Sequence, residues 1–173
     1  LATIYLLNKQ PKLAREGLQK SASADLPPEV SAQRRLLSAR ALMEMNQSPS
    51  AIALLEDDGS READLLRSEI FWKDTDWANA AKPLQRLVRS MGAAPGDPLD
   101  ETQAQTVLNL AVALALSGNE RGIGGLRKDH AAAMDTTEFK DAFRLIASPN
   151  TVGLLDYRTV ASKVTTVNNF KTF

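Results

Sequence analysis

A histidine next to a carboxylate can serve as a general base, and His130, the single histidine of the chain, follows Asp129. No nucleophile is spaced to join it, so His130 reads as a surface or helix-end residue. Gly122-Ile-Gly-Gly125 has the glycine density of a phosphate-cradling loop. It follows a helix and not a strand, and its third glycine is misplaced, so nucleotide binding is not expected. Glu56-Asp-Asp58-Gly59 gathers carboxylates that could meet a divalent cation. The alternating ligand spacing of a calcium loop is missing, and the segment reads as a solvated turn. Arg34-Arg35 and Arg40 form a basic patch, expected on an exposed face near acids. Trp72 and Trp77 suit core packing, and Trp72 is also a candidate anchor on a binding face. The expectation is a chain with no catalytic residue, metal site or cofactor.

Composition narrows the function classes further. Lys plus Arg and Asp plus Glu both number 21, so the basic excess of a nucleic-acid binder is missing. There is no cysteine, which excludes disulfides, thiolate metal sites and cysteine nucleophiles. No run of about 18 apolar residues occurs, so no membrane-spanning helix is expected. Hydrophobic content of 43% with 24% charged residues describes a folded chain. Aromatic residues are only 5% while Ala and Leu abound, which favours helices in close contact through small side chains. The chain starts without Met and ends at Phe173, both inside helical patterns, and is read as a piece of a longer protein.

Helical spacing recurs from end to end. Leu1 to Asn8 reads as the tail of a helix, and Pro11 opens the next, to about Ser21. Glu29 to Met45 follows, then a short helix after Ser48-Pro49, with Ser48 as its N-cap. Asp64 to Val88 reads as two helices around the turn Asp74-Thr-Asp76, the first capped by Ser60. Pro83 predicts a kink or a late start in the second. Asp100-Glu-Thr-Gln103 is a capping box opening a helix through Leu116, apolar on nearly all sides. Gly118 ends that helix and Asn119 caps the next, whose glycines call for close backbone packing or else leave it frayed. Asp135-Thr-Thr-Glu138 reads as another capping box, before a helix stopped by Pro149. Tyr157, Val160, Val164, Val167 and Phe170 predict a last helix, capped by Asp156.

Pairs of marks recur at fixed offsets. Ala2 and Tyr5 lead to Ala14 and Leu18, Ala39 and Leu42 to Ala51 and Leu55, and Ser68 and Phe71 to Ala80 and Leu84. A fourth set, Ala111 and Leu114 to Gly122 and Leu126, is one residue short. This pattern resembles the tetratricopeptide repeat, a helix hairpin with small residues where its helices cross. The match covers roughly residues 1–130. Arg35 and Asp64 stand where that motif usually has Trp, and the period is uneven. The run from Leu65 to Trp77, with Ala111 to Asn119, is similar to the C-terminal repeats of long bacterial proteins, some in the cell envelope.

The resemblance implies an all-α fold of antiparallel helix hairpins stacked as a short right-handed solenoid. Residues 1–134 would form degenerate hairpins and residues 135–173 a helical cap in the same domain. It also implies a concave face lined by the first helix of each hairpin. On that face lie Gln33, Leu36, Arg40, Met43 and Glu44, then Glu62, Leu65, Glu69, Trp72 and Lys73. The fourth copy contributes Gln105, Leu108, Val112, Ala115 and Leu116, an apolar set that the cap should cover. The free partner-binding surface is then expected at Arg40, Glu44, Glu69, Trp72 and Lys73. The expected function is a noncatalytic scaffold for a protein or peptide partner. The alternative is a structural spacer or oligomerisation arm of a larger bacterial envelope protein, self-associating through an open N-terminal end.

Overall fold

The computed structural model describes residues 1–23, 25–92 and 94–148. The predicted helix beyond Pro149, with Asp156 as its cap, lies outside the described residues. Regular structure among the described residues is entirely helical: α1 (Ala2–Leu7), α2 (Pro11–Lys20), α3 (Pro28–Glu44), α4 (Ser48–Leu55), α5 (Arg61–Lys73), α6 (Trp77–Ser90), α7 (Glu101–Leu116), α8 (Glu120–Met134) and α9 (Lys140–Ile146). The chain divides into two compact units, Leu1–Asp76 and the residues from Trp77 onward. No described helix is long and apolar enough to cross a membrane.

One turn is used four times. Lys9, Asn46, Thr75 and Gly118 all have positive φ, from 56° to 69°. Each sits just past a helix end, where a left-handed residue lets the chain fold back onto the last carbonyls. The hydrogen bonds match as well: the amides of Gln10, Gln47, Asp76 and Asn119 donate to the carbonyls of Tyr5, Leu42, Phe71 and Leu114, at 2.8 to 2.9 Å. Those four acceptors are the second marks of the repeat. Three of the turns hold a residue other than glycine, and in Thr75 the branched β-carbon makes that conformation costly.

In the first unit, consecutive helices pack on one another, and α3 also lies against α1 and α5. Small residues allow the close approach: Ala14, Ala39, Ala51 and Ala63 are fully buried. Ala39, Leu42, Met43, Ala51, Leu55, Ala63, Leu66 and Ile70 form the core, with Leu36 and Ile52 at its edge. Ser60 caps α5 by accepting from the Ala63 amide at 3.1 Å. Ser48 does not cap α4. It is the first residue of that helix, Gln47 holds the cap position, and the Ser48 hydroxyl donates to Asp74 Oδ1 at 2.9 Å.

The second unit is organised around α7, which packs against α6, α8 and α9. The capping box forms as expected, the Asp100 side chain accepting from the Gln103 amide and the Gln103 side chain from the Asp100 amide. Pro83 lies inside α6, which starts at Trp77, so the helix does not begin late. Gly122 shows why a glycine is wanted: a β-carbon there would lie 2.8 Å from Leu114 Cδ2. Gly124 and Gly125 face open space. The expected capping box at Asp135 is absent. Asp135 instead ends α8 and accepts two 2.7 Å bonds from Arg144, and α9 starts only at Lys140 without a side-chain cap. Phe139, Phe143 and Ile146 are buried, and α9 packs on both α7 and α8.

Candidate partner-binding face

The five expected contact residues all belong to the first unit, on α3 and α5, which lie side by side. Arg40 and Glu69 meet directly. Arg40 Nη1 donates to Glu69 Oε1 at 3.2 Å and Nη2 to Oε2 at 2.9 Å, a two-pronged pair with side chains only 26% and 20% exposed. Fork geometry of this kind fixes the guanidinium plane and ties the two helices in one register. Lys73 Nζ donates to the Met43 carbonyl at 2.6 Å, a cation at the C-terminal end of α3 where the helix dipole favours it. Glu44 pairs loosely with Lys9 across 3.8 Å. Trp72 is 8% exposed, so it packs inside and offers almost no surface to a ligand. The face therefore presents charges that already have internal partners.

Of the remaining residues implied by the resemblance, Gln33 and Glu62 are exposed and Leu36 and Leu65 half-buried. Leu108 and Val112 on α7 are buried. Gln105, Ala115 and Leu116 are half-buried, and α9 is among the neighbours of α7.

Other chemical candidates take structural roles. His130 is not a surface residue: it is buried near the end of α8, and its Nδ1 has no hydrogen-bond partner among the described residues. Burial holds its pKa below the ordinary value, against a smaller opposing pull from Asp129. Around Asp58, the Ser60 amide donates to Oδ1 at 3.0 Å. Hydrogen bonding to Ser60, helped by Arg35 and Arg67, holds the Asp58 carboxyl below its ordinary value. Among the described residues, no group of three or more His, Asp or Glu is placed to hold a metal ion. The Gly122 amide donates to Asn119 Oδ1 at 2.9 Å, so the glycine segment spends a leading N–H on its own cap.

Sequence reasoning missed the part played by Arg67. Its Nη1 donates to Asp64 Oδ1 at 2.7 Å, and Nη2 donates to the carbonyls of Leu55 and Asp58. One guanidinium thereby satisfies the frayed end of α4. The (i, i+3) spacing of Asp64 and Arg67 was a visible signal for the ion pair, but nothing local pointed to the carbonyls. Compared with protein families, with curated proteins and with solved structures, the chain matches none.

Proposed function

We propose that the chain is a noncatalytic helical-repeat segment of the tetratricopeptide kind that binds a protein or peptide partner on the face formed by α3 and α5. The observation that supports it most is the fourfold turn, with the same hydrogen bonds after Tyr5, Leu42, Phe71 and Leu114. Repetition of one helix-end geometry is what a stacked array of helix pairs requires. Arg40, Glu69, Lys73 and Glu44 form a polar surface over an apolar base, the make-up of an interface rim. A partner gains there by adding bonds to oriented charges, whose positions are already fixed.

Exchanging the charges tests this. The double variant Arg40→Glu with Glu69→Arg keeps an internal pair but reverses the polarity shown to a partner. Affinity capture with the unaltered chain should recover a defined protein that the double variant loses, with both proteins folded by circular dichroism. Recovery of no protein, or of the same protein by both, overturns the assignment of this face.

A second reading rests on Leu1, at the N-cap of α1, with Ile4 and Leu7 on that helix, which are 79%, 57% and 67% exposed. Such a stripe suits a structural spacer that stacks on another hairpin or on a second copy. Sedimentation of this chain across concentration discriminates: a monomer throughout argues against self-association, and association abolished by Ile4→Glu argues for it.

A further inference from the structure

Away from the α3–α5 face, the first unit holds a cleft of about 310 Å³ between the end of α2, Ala22, Ser23 and Leu26, α3 and α4. Its size is at the lower end of ligand sites, enough for a few residues of a peptide. Leu18, Leu26 and Leu54 make its apolar walls, and Leu54 is 39% exposed there. Ser31 and Ser38 stand one above the other on α3, about 10 Å apart by helix rise, the span of three extended residues. Among the described residues, the charged ones on the lining are Arg34 and Arg35.

The two arginines are not equivalent. Arg34 donates to the Leu18 carbonyl and, at 3.2 Å, to the Ser21 hydroxyl, so it closes the end of α2. Arg35 is 49% exposed, and its nearest acid, Asp58 Oδ2, stands 3.8 Å away, too far for a hydrogen bond. That oxygen is itself buried without a hydrogen-bond partner among the described residues. Arg35 therefore keeps a fork of donors for an incoming acceptor, beside an apolar slot.

We propose that this cleft binds a short acidic peptide segment, a Glu carboxylate on Arg35 and an adjoining leucine-type side chain among Leu18, Leu26 and Leu54. The serine hydroxyls flank the bound backbone. A single guanidinium that holds Asp58 only through a long ion pair and donates no hydrogen bond among the described residues matches one carboxylate, whereas a phosphoryl group near −2 calls for more cationic partners. This inference rests on the reading of the chain as a protein-binding segment and adds a second contact to it.

The test titrates three blocked peptides into the ¹⁵N-labelled chain: acetyl-Gly-Leu-Glu-Leu-Gly-amide and its counterparts with Gln or phosphoserine in place of Glu. The Glu peptide should move the amide resonances of Ser31, Arg35, Ser38 and Leu54. The Gln peptide and the Arg35→Gln variant should each weaken binding by about tenfold or more, the loss expected for one charge-assisted contact. Circular dichroism of Arg35→Gln should match the unaltered chain and its melting should fall only slightly, since the pair with Asp58 is long and half exposed on the Arg35 side. Equal binding of Glu and Gln peptides, tighter binding of phosphoserine, or no shift at these residues overturns the cleft. A captured partner that keeps binding Arg35→Gln but not the Arg40→Glu/Glu69→Arg swap overturns the cleft alone and leaves the α3–α5 face standing.

Discussion

α3 and α7 solve one problem in two ways. Both lie in the middle of their unit, and each touches three or more other helices. Yet α3 buries four of its 17 residues, all near its C-terminal end, while α7 buries ten of 16. The difference lies in the charges. α3 carries Arg34, Arg35 and Arg40, and the structure turns two of them onto neighbours, Arg34 to the end of α2 and Arg40 to Glu69. α7 carries no such side chain in its buried stretch. Its buried Thr106 donates to the Thr102 carbonyl at 2.8 Å, and its buried Asn109 accepts from Gln105 at 3.1 Å. A central helix can thus be held by directed polar contacts at its edges or by apolar contact nearly all round. Only the first kind leaves a surface that a partner could read.

The largest effect should come from matched leucines on the two helices. Leu108→Ala, at a site 2% exposed, should cost about 2–5 kcal/mol in urea unfolding. Leu36→Ala, half-buried at the corresponding place on α3, should cost about 1–2 kcal/mol. Equal losses would break the contrast between the helices. Next, Arg40→Met should cost about 1–3 kcal/mol, because Glu69 is left mostly covered and unpaired. Adding Glu69→Leu should restore part of that loss in a double-mutant cycle. Additive losses would mean that the pair contributes nothing to holding α3.

Acid should separate the units. His130 has a native pKa below its ordinary 6.5, so the unfolded chain takes up the proton first. Stability of the second unit should fall as pH drops below about 6.5. Asp58 in the first unit has a native pKa below 3.8, so its contribution is present above 3.8 and is lost only as pH falls below it. Residue-resolved hydrogen exchange on lowering pH should show α8 loosening before α4. His130→Gln should remove the earlier phase, and simultaneous loosening would refute the assignment. The smallest effect concerns glycines on α8. Gly125→Ala should stabilise by about 0.5–1 kcal/mol, since its space is open. Gly122→Ala should lose that gain to the contact with Leu114. An equal gain at both would show that α7 and α8 do not need their close approach.

Much of the local structure was legible because its causes are local. The Asp100 box, the Ser60 and Asn119 caps, Pro11 and Gly118 are all written within a few residues. The small marks were legible too: Ala14, Ala39, Ala51, Ala80 and Ala111 are fully buried. Ser48 and Asp135 carry the same cap signal, but their side chains go to Asp74 and Arg144 instead. Competition with a partner 26 residues away has no trace in a short window. The candidate face was legible as a set of residues on α3 and α5, not as a set of contacts. Nothing in the spacing of Arg40 and Glu69 said that they meet, and Trp72 could not be assigned to the inside by type. His130 failed for a similar reason, since its burial depends on how α8 is covered.

The repeated left-handed turn has a consequence for how such a chain can change. Its four versions are Lys9-Gln10, Asn46-Gln47, Thr75-Asp76 and Gly118-Asn119, with no residue in common at the first position. The geometry is held by main-chain bonds, so it tolerates several side chains at these corners at differing backbone cost. The interval of 37 residues from Lys9 to Asn46 exceeds the 29 from there to Thr75 chiefly because α2 and α3 are longer than α4 and α5, and only slightly through the linking segment. The corner is thus the constant part of a modular kit, and helix length and linking segment are its adjustable parts. Exchanging Lys9-Gln10 for Asn46-Gln47 should leave each module intact, whereas Asn119 must stay because it also caps α8. A builder wanting to splice in an extra helix pair would keep every corner whole and carry residues 55–60 over together with Arg67, which holds that link in place.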